Sequence, residues 1–204
     1  MLKGANLSDA NLQEANLEEA NLKGASLRSA NLRGANLKGV ILQGARLILS
    51  ANLQETNLEG ANLEVAELGS ASLQEANLNG ANLKGADLSH ASLQEADLRG
   101  ASLKGADLES TNLQDANFQN ANLQNAKLGW AKLRGANLMG ANLEGANLEQ
   151  AVLQRTSFED ANLYGAELQY ASIQDANFTG ANLRYAVLDG TNLEGANLNE
   201  VTLK

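Results

Sequence analysis

The chain of 204 residues has no cysteine and no proline, and only 3% of its residues are aromatic. Without cysteine it forms neither a disulfide nor a thiolate metal site, and the redox compartment stays open. No segment approaches the roughly 18 apolar residues of a membrane-spanning helix, and no basic-then-apolar leader precedes the first repeats. We therefore expect a cytoplasmic protein with no membrane partner.

Basic residues are also few. The chain has 15 lysines and arginines against 24 acidic residues, which gives a formal net charge of -9. Such a charge disfavours direct binding to nucleic acid phosphates or to anionic membrane surfaces. If a partner is recognised by charge, the net charge predicts a basic one.

What the chain does contain is a five-residue repeat. A leucine or a close substitute, here called the centre, recurs at every fifth position from Leu2 to Leu203, and alanine usually lies two places earlier. Apolar, polar and apolar residues in succession match the alternation of a strand. A helix would turn ~500° per repeat and scatter the leucines around its axis. An odd period in a continuous strand would send alternate leucines to opposite faces.

The pattern therefore predicts a three-residue extended side followed by a two-residue corner. Residue types recur at twenty residues, which predicts four sides per coil. The clearest case is a set of glutamines that directly follow centres: Gln13, Gln54, Gln74, Gln94, Gln114, Gln154 and Gln174.

The register of the centres shifts by one residue between Leu47 and Leu53. We interpret the extra residue, among Ile48, Leu49 and Ser50, as a single-residue bulge at one corner. The 41 centres then predict about ten coils and a rod roughly 50 Å long, if coils pair at ~4.8 Å. The repeat covers residues 1–204, which we expect to form a single domain.

The two residues after each centre are called the first and second corner residues. Glycine is concentrated at the second corner residue, where it occurs 17 times, and 13 of these glycines lie on two of the four sides. We expect a positive φ at these glycine corners, as in a type II turn. Corners that carry glutamate or aspartate are predicted not to need it.

The Ala-Asn/Asp-Leu-X-X tract resembles the pentapeptide repeat family over essentially the whole chain, in particular its cyanobacterial members. The resemblance implies an all-β fold, a right-handed quadrilateral parallel β-helix. It also implies one specific activity, because some members resemble B-form DNA and bind type II topoisomerases such as DNA gyrase. Those members carry projecting loops or a C-terminal helical dimerisation segment, whereas the longest interruption here is one residue.

Catalysis is disfavoured by the residue inventory. The single histidine, His90, falls at an outward corner, and a convex rod gives a Ser-His-acid set nothing to exclude water. No phosphate-binding glycine motif and no calcium-binding nonapeptide is present. We expect a protein that is not an enzyme and that has no cofactor and no catalytic or metal site.

An acidic row is one candidate binding feature. Its members recur once per coil at the same corner: Glu55, Glu75, Glu95 and Asp115. Stacked at ~5 Å they repel one another, so the row is either a solvated charge pattern or a site for a basic partner or a cation. DNA would carry roughly 30 charges over the length of this rod. The net charge of -9, with one side mainly basic, makes a weak mimic, and topoisomerase binding remains the alternative function.

An aromatic corner, formed by Trp130 and Tyr170, is the other candidate. These residues are predicted to point outward two coils apart, with Val152 nearby and with Tyr164 and Tyr185 on the adjoining sides. On an otherwise polar surface they are either a partner contact or isolated rings lying against the rod. The phenylalanines, in contrast, are all centres and are predicted to fill the core: Phe118, Phe158 and Phe178.

Apolar residues surround the register shift, namely Ile41, Ile48, Leu49 and Val65. We expect the extra side chain to pack against the rod, and docking of a partner loop is the alternative. The first and last coils lack an evident cap, which predicts either end-to-end association of copies of the chain or a natural protein trimmed to its repeats. The preferred functional hypothesis is a non-enzymatic rod that presents surfaces to an unidentified protein partner, as a structural or regulatory interaction module.

Overall fold

The computed structural model describes residues 2–203, which form a stack of coils without a helix. Each strand contact is a single-residue parallel bridge made by the residue just before a centre. Such bridges join residues 20 apart, as in Asn62 with Asn82, and run from Asn6–Ser26 to Asn182–Thr202. Across residues 48–50 the paired residues are 21 apart, as in Asn31 with Asn52. With five residues per repeat, a spacing of 20 gives each coil four sides.

The four sides are numbered here by their centres along the chain. Side 1 includes Leu83 and Leu103, side 2 Leu88 and Leu108, side 3 Leu93 and Leu113, and side 4 Leu98 and Phe118.

Every backbone N–H of a typical repeat has a partner, as the repeat of residues 76–80 illustrates. The Ala76 N–H donates to the Leu73 carbonyl at 3.1 Å and closes the preceding turn. The N–H groups of Asn77, Leu78 and Gly80 donate to carbonyls of the neighbouring coils at 2.7–2.9 Å. The fifth donor, the N–H of Asn79, bonds the side-chain oxygen of Asn77 at 3.1 Å. A buried N–H without a hydrogen-bond partner raises the free energy of the folded chain, so this complete set of bonds stabilises the coil.

The hydrogen bond from the N–H of the first corner residue to the side chain before the centre explains why that side chain is usually asparagine. All 25 asparagines and aspartates at that position in residues 2–203 accept this N–H with their side-chain oxygen, an Asx-type turn. Where serine, lysine, valine or another residue stands there, the described part of the chain shows no such bond. Asparagine amides also join successive coils, as Asn77 Nδ2 does with Asn57 Oδ1 at 3.2 Å.

The core is the axis of the rod. From Leu22 to Leu183 the centres and the alanines two places before them are almost entirely buried and form one cluster. The phenylalanines at centres are fully buried, as predicted, and Phe158 stacks on Phe178 with ring centroids 4.8 Å apart. Where threonine replaces alanine its hydroxyl bonds a backbone carbonyl, as Thr56 Oγ1 does with Leu53 O at 2.7 Å.

The prediction that only glycine corners need a positive φ is wrong. Positive φ occurs at 17 glycines and at 24 other residues, including Glu55, Glu75 and His90. The reason is that the same hydrogen bonds form at corners of either kind. The Glu75 N–H donates to the Gln94 carbonyl at 3.0 Å, and the Ala76 N–H closes the turn onto Leu73. Holding an L-residue in this region costs about 1–2 kcal/mol, which the ladder must offset.

Side chains at several second corner positions extend along the rod toward the next coil. A Cβ added to Gly140 or Gly180 would meet the side chain of Asn120 or Asp160, which lies one coil earlier. Glycine at these positions therefore provides space for the preceding side chain as well as a positive φ.

The corner at the register shift differs from the others. Leu49 and Ser50 both have positive φ, at 59° and 64°. The Leu49 carbonyl accepts the Ser29 hydroxyl at 3.2 Å, and the Leu49 side chain is 55% exposed. Val65 is equally exposed, whereas Ile41 and Ile48 are half-buried. Residues 2–203 include no helix of the length and apolarity that crossing a membrane requires.

Candidate functional site

The aromatic corner lies where side 2 turns into side 3. Trp130 and Tyr170 are second corner residues of side 2, with φ of 55° and 58°, and they are 50% and 64% exposed. The Tyr170 ring lies where a Cβ on Gly190 would be, so this ring extends along the rod toward the next coil. Val152, half-buried, lies on side 3 between the coils of the two aromatic residues.

The two other exposed tyrosines form a separate pair. Tyr164 and Tyr185 meet edge to face, with ring centroids 5.2 Å apart and planes at 67°. They occupy the corner between sides 1 and 2, at the opposite edge of side 2 from Trp130 and Tyr170. The structure therefore places the predicted aromatic contact residues in two groups.

The acidic row follows the corner between sides 3 and 4. Its four members are exposed second corner residues with φ between 57° and 59°: Glu55, Glu75, Glu95 and Asp115. Glu55 at the start of the row is paired with Arg33, with Nη2 2.7 Å from Oε1. At the other end, Asp115 accepts Gln114 Nε2 at 3.2 Å.

A basic cluster, which the sequence analysis did not identify, lies directly beyond the acidic row. It consists of Lys132, Arg134 and Arg155 on side 3, all exposed. Arg134 and Arg155 line a concavity of about 450 Å³ together with Gln114, Asp115 and Gly135. Within residues 2–203 no carboxylate forms an ion pair with any of the three cations. Five other cations there do form pairs: Arg33, Lys38, Arg46, Arg99 and Lys127.

Unpartnered backbone donors occur at the same place. Lys132 and Val152 stand where asparagine usually precedes the centre, so no side-chain oxygen bonds the N–H of Arg134 or Gln154. Neither N–H makes any other hydrogen bond to residues 2–203. The signal was present in the sequence, because three successive coils of side 3 lack the asparagine and have Lys132, Val152 and Ser172 in its place.

The perturbed ionisable groups lie elsewhere. A hydrogen bond from the Arg99 guanidinium lowers the pKa of the Asp97 carboxyl on side 4. On side 2, a hydrogen bond to Asp107 raises the pKa of Lys127. These pairs strengthen local charge contacts and are separate from the basic cluster.

No arrangement for catalysis is evident in the part of the chain that the structure describes. His90 is an exposed second corner residue with φ of 57°. No group of three histidine, aspartate or glutamate side chains suited to hold a metal ion occurs in residues 2–203. The surface features that the geometry does offer are the aromatic corner, the acidic row and the basic cluster.

The profile of pentapeptide repeats matches the chain in eight copies, over residues 4–47, 50–83, 66–105, 101–140, 141–180 and 176–204. No curated protein matches the chain significantly. Solved structures do match, and they are pentapeptide repeat proteins and a fluoroquinolone resistance protein.

One match is HetL from the cyanobacterium Nostoc sp. strain PCC 7120, described as involved in heterocyst differentiation regulation. It is 36% identical, with 98% of this chain and 87% of HetL covered and a TM-score of 0.48. A trypsin-treated form of QnrB1, a plasmid-mediated fluoroquinolone resistance protein, is 22% identical over 87% of this chain and 86% of its own, with a TM-score of 0.52. A thylakoid lumen protein from Arabidopsis thaliana is 34% identical over 45% of this chain and 64% of its own, with a TM-score of 0.45. The matched fold is a right-handed quadrilateral β-helix.

Proposed function

Because the chain belongs to the pentapeptide repeat family, we propose that it works as a non-enzymatic protein-interaction rod. The β-helix provides a stiff support, and the aromatic corner provides the main contact with a protein partner. In this role the chain is a structural or regulatory module whose action depends on what it binds.

The observation that carries this proposal is the exposure of Trp130 and Tyr170 on a surface made largely of asparagine, glutamine, glycine and charges. Both rings are at least half exposed, at 50% and 64%. Tryptophan and tyrosine are the residue types that contribute most often to binding energy at protein interfaces. They are held on a backbone tied by ladder bonds on both sides, so little order must be gained when a partner binds.

The regulatory part of the proposal draws on one relative. HetL is 36% identical to this chain and is described as involved in the regulation of heterocyst differentiation. A regulatory role of this kind is compatible with a rod that acts by binding other proteins.

The alternative function is a DNA-mimicking binder of a type II topoisomerase, which the acidic row favours. The row is short, since its four carboxylates span about 15 Å at ~4.8 Å per coil. Glu55 is neutralised by Arg33, and Gly135 and Arg155 separate the row from the next acid of the column, Asp175. A supercoiling assay with purified gyrase tests this alternative. Inhibition or protection that is lost in the Glu55→Gln, Glu75→Gln, Glu95→Gln and Asp115→Asn variant would favour it over the interaction rod.

The interaction proposal is tested by quantitative affinity capture from the source cells. The variant carries Trp130→Ala and Tyr170→Ala. The matched control carries Leu49→Ala and Val65→Ala, which remove two other side chains that are each 55% exposed. We expect recovery of at least one partner to fall in the first variant and to be kept in the control. Equal recovery of all partners by wild type and both variants would refute the contact.

A further inference from the structure

We propose that side 3, between the aromatic corner and the basic cluster, binds an acidic peptide segment that also carries an apolar side chain. This inference rests on the proposed interaction function and specifies the chemistry of the partner. It differs from what the net charge of the chain predicts, which is a basic partner.

Charge complementarity is the first argument. Lys132, Arg134 and Arg155 lie on two adjacent coils and make no ion pair within residues 2–203. The two arginines line the concavity of about 450 Å³ and outnumber the one carboxylate there, that of Asp115. Guanidinium groups bind carboxylates with paired, directional hydrogen bonds, so a concavity with two free guanidinium groups suits an acidic side chain.

The unpartnered backbone donors are the second argument. At 25 other repeats an asparagine or aspartate oxygen accepts the N–H of the first corner residue, and Lys132 and Val152 are two of the 14 residues at that position that do not, where the first corner residue lies within residues 2–203. The N–H groups of Arg134 and Gln154 therefore remain available on adjacent coils, ~4.8 Å apart. Carboxylate oxygens of a partner can take the place of the missing asparagine oxygen, and hydrogen bonds to a charged acceptor are the stronger kind.

The aromatic corner supplies the third argument. Trp130 precedes Lys132 by two residues, and Val152 and Tyr170 follow on the next two coils. Apolar and aromatic side chains thus line one edge of the basic cluster. An apolar side chain of the peptide placed against Trp130 would lose water while neighbouring carboxylates contact the cations beside it, which matches the apolar centre and polar rim of a protein interface.

The extent of the positive surface favours a peptide over a nucleic acid. Along the same column the cluster is bounded by Asp115 on one side and Asp175 on the other. Only about two coils, or roughly 10 Å, present unpaired cations. A few carboxylates fit this length, whereas a phosphate backbone would extend onto acidic surface of a chain with a net charge of -9.

The test uses Trp130, which is the single tryptophan of the chain and therefore a built-in fluorescent reporter. A synthetic peptide that repeats Glu-Glu-Leu and lacks tryptophan is titrated into the full chain at low salt. The same peptide with lysine in place of glutamate is the control probe. We expect saturable change of the Trp130 emission with the acidic peptide alone.

Two variants with the same change of net charge then locate the site. One carries Lys132→Gln, Arg134→Gln and Arg155→Gln. The matched control carries Lys84→Gln, Lys104→Gln and Arg184→Gln on side 1. We expect about a tenfold loss of peptide affinity in the first, the combined effect of three exposed charge pairs, and less than about a twofold loss in the second.

The proposal is wrong if both variants weaken binding equally, since that reports only net charge. It is also wrong if the acidic peptide leaves the emission unchanged, or if an oligothymidylate binds more tightly than the peptide with the same sensitivity to the basic-cluster variant. If this variant still captures every cellular partner whose recovery depends on Trp130 and Tyr170, the interaction function stands and the acidic partner is rejected.

Discussion

The positive φ of the corners leads to a direct stability prediction at Gly100. This residue has φ of 63°, and a Cβ added to it would meet no atom within 4 Å. The substitution Gly100→Ala therefore changes the backbone preference without creating a steric clash. A positive φ raises the free energy of the folded chain by about 1–2 kcal/mol when the residue is an L-amino acid. Alanine also lowers the entropy of the unfolded chain, which stabilises the folded state by about 0.4–1 kcal/mol. We expect a net destabilisation of about 1 kcal/mol.

Replacing serine by glycine, at a corner and on a neighbouring extended side, supplies a matched pair of controls. Ser70 has φ of 61° at a corner and makes no side-chain hydrogen bond within residues 2–203, whereas Ser72 is on the adjoining extended side. Ser70→Gly should stabilise the chain by about 0.5–1 kcal/mol because glycine tolerates the corner. Ser72→Gly should destabilise it by a similar amount, because glycine there only adds freedom to the unfolded chain.

Equilibrium unfolding in urea, followed by far-ultraviolet circular dichroism, gives the three free energies of unfolding. The m-value must stay unchanged, so that a shift of the midpoint reports stability. If Gly100→Ala is neutral, or if the two serine substitutions change stability in the same direction, the corners do not store backbone strain.

Three further changes test the other parts of the structure by the same unfolding assay. Asn77→Ala removes the acceptor of the Asn79 N–H and a bond to Asn57 in the preceding coil, and should cost about 1–3 kcal/mol, whereas Ser72→Ala, which removes no side-chain bond, should be nearly neutral. Leu93→Ala leaves a cavity at a fully buried centre and should cost about 2–5 kcal/mol. Asp97→Asn removes a carboxylate whose pKa is lowered chiefly by a hydrogen bond from Arg99. A lowered pKa stabilises the folded chain above about pH 4, so the variant should melt earlier at neutral pH, and the difference should disappear as acid protonates Asp97.

The inside of the rod could be predicted closely from the sequence, because the same residue types recur wherever the same contacts recur. Glutamines such as Gln74 and Gln94, twenty residues apart, indicated four sides, and the bridges join residues at that spacing. The stacking of Phe158 on Phe178 follows from their positions as centres of the same side. The backbone of the corners could not be predicted in this way. Residue preference alone separates glycine from glutamate, but the ladder bonds impose one conformation on both.

The surface was harder to predict, because it depends on which neighbours are absent. Arg134 and Arg155 lie on side 3, which also carries the acidic row, and the sequence does not show that no carboxylate pairs with either of them in residues 2–203. The role of asparagine as an acceptor for the first corner N–H became clear only from the hydrogen bonds. Once that role is known, Lys132 and Val152 indicate open donors from the sequence alone.

The central claim is that a protein partner binds side 3 beside the aromatic corner. Amide hydrogen exchange of the rod, measured residue by residue with and without its captured partner, tests this claim most directly. We expect the N–H groups of Arg134 and Gln154 to exchange quickly in the free chain and to become protected in the complex. The N–H groups of Lys84 and Lys104 on side 1 should be unaffected. Protection confined to side 1, or to the acidic row, would contradict the account.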